Sequence, residues 1–145
     1  MDRRVFIKET CSWCALLSSG LIIGSLSSCS SLPTFETDIA QERVRVPLSA
    51  FGTGDVLVVR VRSLMYDLAL HKHQDNSYTA VLLRCTHADT QLSASGEEFK
   101  CSAHGSRFDL DGRVLKGPAQ KDLEQFPAET TKDDIIVHIP ERLFR

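Results

Sequence analysis

Cys85-Thr86-His87 and, after thirteen intervening residues, Cys101-Ser102-Ala103-His104-Gly105-Ser106-Arg107-Phe108-Asp109 decide the reading of this chain. Each box offers one thiolate and one imidazole, with the cysteine first. Thiolate is the strong soft ligand among side chains and imidazole the strong borderline one. Two such loops facing each other can set both sulfurs on one side and both imidazoles on the other. That arrangement is wrong for four like ligands. It suits two metal ions in different surroundings, one held by Cys85 and Cys101, the other by His87 and His104. Between Cys85 and Pro118 long apolar runs are few, and Gly, Ser, Asp and Thr are frequent. Such a stretch builds little core by itself, and metal ligation would supply folding free energy in its place.

On either side the chain alternates. Val44, Val46 and Leu48 alternate with Arg43, Arg45 and Pro47, and Leu57, Val59 and Val61 lead into Arg60 and Arg62. Tyr66, Leu68 and Leu70 alternate with Asp67, Ala69 and His71, and Ile135, Val137 and Ile139 with Ile136 and His138. A period of two marks half-buried strands. Asp75-Asn76-Ser77 is a turn cluster, so residues 66–84 read as a hairpin. No segment shows a sustained helical period. The fold class expected is all-β: small antiparallel sheets with a loop-rich metal-binding subdomain over residues 85–119, in a domain spanning 43–145.

The first residues read differently. Arg3, Arg4, Lys8 and their acidic neighbours Asp2 and Glu9 precede an uncharged, largely apolar run from Thr10 to Ser28. This is the layout of an export signal over residues 1–28. Arg3-Arg4 followed by Val5-Phe6-Ile7-Lys8 resembles a twin-arginine signal, which exports proteins already folded. Leu26-Ser27-Ser28-Cys29 resembles a bacterial lipobox, which implies a lipidated Cys29 at the start of the mature chain. The alternative is an uncleaved membrane helix, though the many serines make a poor span. Cleavage would remove Cys11 and Cys14, whose C-x-x-C spacing otherwise suggests redox or zinc chemistry. Residues 29–42 lack clear periodicity and read as a tether.

Composition excludes little else. The chain has 145 residues, with 17 basic and 19 acidic side chains for a net charge of −2. That is one domain's length without the basic excess of a nucleic-acid binder. Five cysteines cannot all pair in a disulfide framework.

The two boxes closely resemble those of the Rieske iron–sulfur family, whose pattern is C-x-H, a loop, then C-x-x-H followed by Gly and often Ser. The resemblance spans about residues 43–140. It implies one 2Fe–2S cluster per chain, with Cys85 and Cys101 on one iron and His87 and His104 on the other. Gly117-Pro118-Ala119 matches the family's proline-containing loop over the cluster. Ser106 is then expected to donate a hydrogen bond to a bridging sulfide, with Gly105, Phe108 and Pro118 close by. Quinol-oxidising members carry a tyrosine where this chain has Phe108. They also carry two further cysteines that brace the loops, where this chain has Thr90 and Ala103. The resemblance implies a one-electron carrier with no substrate chemistry of its own, or the iron–sulfur subunit of a quinol-oxidising or periplasmic oxidoreductase. Its expected partner is a cytochrome or a membrane quinol-oxidising complex, and its expected place is the periplasmic side of a bacterial envelope, held by lipid or N-terminal anchor. A structural zinc-binding lipoprotein is the alternative, since two Cys and two His can close a tetrahedral zinc site. His71 and His73, two apart on one strand, read as a solvated face or, less simply, as a surface metal pair.

Overall fold

The computed structural model describes residues 31–144. The alternating segments form strands as their period demands: β1 (Thr34–Thr37), β2 (Arg43–Pro47), β3 (Val56–Val61), β4 (Leu68–Lys72) and β5 (Tyr78–Leu82). Four short strands follow in the loop-rich middle: β6 (Ser93–Ala94), β7 (Phe99–Lys100), β8 (Arg107–Phe108) and β9 (Val114–Lys116). The chain closes with β10 (Gln125–Phe126), β11 (Ala128–Thr130) and β12 (Asp134–His138). They make three sheets, ordered β1-β3-β4-β5-β10, β11-β12-β2 and β6-β7-β8-β9. Neighbours run antiparallel, save for the parallel pair β1–β3.

The five-stranded sheet is a middle layer. Leu68 and Leu70 of β4 with Ala80 and Leu82 of β5 point one way, onto Val44, Val46, Ile135 and Val137 of the three-stranded sheet. Ala69 and Val81 point the other way, with Val56, onto Leu83, Leu92, Phe99, Phe108 and Leu123. Half-buried strands were the expectation, yet Leu68, Ala69 and Leu70 are all fully buried. The reason is that the loop-rich segment covers the sheet's second face. Too poor in apolar residues to form a core alone, it borrows one from β4 and β5.

The tether expected over residues 29–42 is also corrected. Thr34–Thr37 is a strand, in register from Thr34↔Val58 to Thr37↔Val61. Its backbone fills the edge of β3, and Phe35 packs against the first core. The expected signal over 1–28, with Arg3 and Arg4, and the lipidation position Cys29 lie outside the described residues. Among the described residues no helix is long and apolar enough to cross a membrane.

Gly112 locks the loop-rich segment to the sheet. It ends the turn Asp109–Gly112, where Gly112 N–H donates to Asp109 O at 3.0 Å. Its φ is +84°, and a Cβ there would lie 3.0 Å from Leu123 Cβ and 3.1 Å from Val81 Cγ1. A left-handed L-residue costs roughly 1–2 kcal/mol, and overpacking costs roughly 1–3 kcal/mol more. Gly112→Ala should therefore lower the unfolding free energy by about 2–5 kcal/mol. Urea unfolding should show this as a lower midpoint at an unchanged slope.

Candidate metal centre

Two loops carry the four expected ligands, and they are built alike. Cys85 N–H donates to Thr90 O at 2.8 Å, and Asp89 N–H returns to Cys85 O at 2.9 Å. Cys101 N–H donates to Ser106 O at 2.9 Å, and Gly105 N–H returns to Cys101 O at 3.0 Å. In both, the residue four after the cysteine turns the chain with positive φ, +47° at Asp89 and +78° at Gly105. Glycine takes that conformation freely, and aspartate is among the few other residues that visit it. The first loop follows β5 and is closed by the Arg84↔Gln91 bridge. The second joins β7 to β8, whose Lys100 and Arg107 are paired.

This matched scaffold points the ligands apart by type. Cys85 and Cys101 are buried, at 0% and 1% exposure, and both are free thiols. His87 and His104 are exposed, with ring centroids 4.9 Å apart and planes at 87°. Burial pushes the Cys101 thiol up. The backbone N–H groups of His104 and Ala103, with the Cys85 and Thr90 side chains, outweigh that and hold it below its ordinary value. Backbone donors aimed at sulfur stabilise the thiolate, the form that binds metal.

A third loop, residues 117–121, is tied to both. Ala119 N–H donates to Ser106 Oγ at 3.0 Å, and Thr86 Oγ1 donates to Lys121 O at 2.6 Å. Ser106 is fully buried. Because its oxygen accepts from Ala119, its own O–H remains available to donate. The Gly117–Pro118 peptide is cis, and Pro118 is exposed beside buried Ala119. Phe108 is fully buried and pairs with Phe99 across β7 and β8. From the sheet side, Tyr66 O–H donates to Asp89 O at 2.6 Å and steadies the first loop. The roles of Thr86, Thr90 and Tyr66 are absent from the ligand pattern. Thr86 occupies the unspecified place in C-x-H, and Tyr66 comes from the connection between β3 and β4.

The donor set fits a pair of bridged irons. Two buried sulfurs lie on the inner side and two exposed imidazoles on the outer, with a buried hydroxyl donor alongside. A single closed zinc site would leave that hydroxyl and the inside–outside division of ligands without a purpose.

Comparison with known proteins agrees. The sequence model of the Rieske 2Fe-2S domain matches residues 44–127. The cytochrome b6-f complex iron-sulfur subunit 1 of Nostoc sp. is 40% identical over 55 residues, covering 37% of this chain and 31% of that protein. The cytochrome b6-f complex iron-sulfur subunit of Synechococcus elongatus is 34% identical over 77 residues, covering 52% and 42%. The matched stretch is thus less than half the length of these relatives. Among solved structures, the cyanobacterial plasma membrane Rieske protein of Synechocystis superposes with a TM-score of 0.56 at 26% identity, covering 65% of this chain and 97% of that one.

Proposed function

The chain belongs to the Rieske 2Fe-2S domain family, and from that premise we propose that Cys85 and Cys101 hold one iron of its cluster while His87 and His104 hold the other. The protein is an electron carrier. When bound, the cluster supplies one-electron exchange. The observation that carries the ligand assignment is the duplicated loop: equivalent backbone bonds at Cys85 and Cys101 aim two buried sulfurs inward and two imidazoles outward.

The ligands set the working range. Two thiolates and two neutral imidazoles bring two negative charges, whereas four thiolates would bring four. Less negative charge makes an added electron easier to accept. Rieske centres accordingly lie at about −150 to +300 mV against about −400 mV for plant-type ferredoxins. With the cluster bound, the buried Ser106 hydroxyl would supply a hydrogen bond to it and raise the potential further. Phe108 has no hydroxyl to add a second such bond, which places this chain below its tyrosine-bearing relatives. The exposed His87 and His104 edges would form the contact for a partner, each presenting there the N–H of the ring nitrogen that is not a ligand. The partner is a redox protein, either a cytochrome or a quinol-oxidising complex, and the match to iron-sulfur subunits of cytochrome b6-f complexes supports such a partner.

The anchor belongs to the same proposal. Arg3-Arg4, an uncharged run from Thr10 to Ser28 and then Cys29 support export in the folded state and lipidation at Cys29. The cluster is best assembled where thiols stay reduced, and a route for folded proteins lets it be assembled before export. The domain then faces the periplasm, held to a bacterial membrane.

Anaerobically purified protein should contain about two iron and two acid-labile sulfide per chain, with a rhombic paramagnetic resonance signal when reduced. Cys85→Ser or His104→Ala should abolish both, and a colourless, iron-free wild type would sink the assignment. Phe108→Tyr should raise the potential. A bond that favours the reduced state by roughly 1–2 kcal/mol corresponds to about 40–90 mV, taking about 59 mV per tenfold change for one electron. Redox titration of the two proteins decides this. Labelled fatty acid fed to cells should appear in the wild type and be lost in Cys29→Ser.

A further inference from the structure

His71, His73 and Asp111 form a second cluster of ligand-type side chains that shares no residue with the iron–sulfur site. His71 lies on β4 and His73 just beyond it, on the same side of the strand by the alternation of strand residues. Asp111 comes from the turn between β8 and β9. His71 Nδ1 is 3.0 Å from Asp111 Oδ1, and His73 Nε2 is 3.4 Å from the same oxygen. One ligand atom from each residue lies within 4.8 Å of the other two. Ligands bound at 2.0–2.1 Å around a tetrahedral zinc lie about 3.4 Å from one another. The spacing is therefore close to that of a metal shell before any side chain moves.

The convergence sets ligand-type atoms of three residues around one point. Two imidazoles with centroids 4.5 Å apart bring a ring nitrogen each to one carboxylate oxygen, His71 within hydrogen-bond distance and His73 at 3.4 Å, longer than a good N–H···O bond. The Thr79 hydroxyl, 2.8 Å from His73 Nε2, adds a third polar group at that point. Several donors directed at one spot is what a cation requires. Burial pulls the Asp111 carboxyl up, but the His71 hydrogen bond, both imidazoles and Arg113 hold it below the usual carboxylate range. It is an anion at neutral pH. The side chains of His71, His73 and Asp111 are 20%, 29% and 26% exposed, open enough to admit an ion and covered enough that little water is shed. The turn that presents Asp111 is itself fixed. Asp111 N–H donates to Asp109 Oδ1 at 3.0 Å, and Gln125 Nε2 donates to Asp111 O at 2.7 Å.

We propose that His71, His73 and Asp111 form a site for one divalent first-row transition ion, zinc above all, that clamps the iron–sulfur-bearing segment to the middle sheet. Two imidazoles and a carboxylate suit zinc, nickel or copper rather than magnesium or calcium. Three protein ligands leave the fourth position to water, in the manner of an open zinc site. The ion would join the hairpin of β4 and β5 to the turn after β8. This is the same junction that Gly112 and Leu123 close by packing.

The test uses the full chain as purified with its iron, titrated with zinc chloride. Calorimetry should give one zinc per chain. Zinc-edge X-ray absorption should show a nitrogen and oxygen shell with imidazole scattering and no sulfur. His73→Gln and Asp111→Asn should each weaken binding at least tenfold, while iron content and the reduced resonance signal stay unchanged. Zinc should raise the melting temperature of the wild type and leave that of Asp111→Asn unmoved, since only a ligand of the folded state stabilises it. No binding, equal binding by both variants, or zinc bound to sulfur would each overturn the proposal. The sulfur outcome would at the same time direct zinc to the cysteine loops, so failure here and failure of the iron–sulfur assignment give different spectra.

Discussion

The two loops that carry Cys85, His87, Cys101 and His104 have almost no apolar side chains with which to hold themselves in place. Everything else in the fold answers that constraint. Each loop is braced by a reciprocal pair of backbone hydrogen bonds about its cysteine. A third loop is then bonded to both through Ser106 and Thr86. A loop-rich site gains rigidity from such bonds only when water is kept from competing for them. The full burial of Ser106, Cys85 and Phe108 provides that.

The protection comes from the middle sheet. Because successive residues of a strand face opposite ways, β4 and β5 serve two cores with one backbone, Leu68 and Leu70 for one and Ala69 for the other. Small Ala69 lets the iron–sulfur segment approach closely, while the leucines fill the thicker interface with the three-stranded sheet. The metal-binding segment is thus an added layer rather than a separate body, and its stability is tied to packing beneath it.

How much of this could be read beforehand follows from what each feature needs. The family is legible in the two Cys/His boxes because metal preference is a property of side-chain chemistry and their spacing is covalent. The strands at Val44–Val46 and Ile135–Val137 are legible because one buried face imposes a clean alternation. β1 is not, since Phe35 is the single large apolar side chain in Thr34–Thr37 and the strand forms by backbone pairing with β3. The strands β6, β7 and β8 hold two residues each, too few to show a period. Burial of β4 on both faces is hidden because alanine at position 69 fits a surface as readily as a core. The approach of Asp111 to His71 and His73 is set by tertiary packing across 40 residues, so the two histidines read as a solvated face.

Phe108 is a core residue at a position where the family pattern offers a tyrosine. It is fully buried against Phe99 in the second core, and its ring contributes apolar packing there whatever it does for the cluster. A hydroxyl on that ring would enter a site whose walls are apolar, and a buried hydroxyl is stable only if it finds an acceptor. Tyr in place of Phe108 therefore disfavours the fold unless its hydroxyl finds such an acceptor. A chain with Phe at this position keeps its second core well packed without needing one.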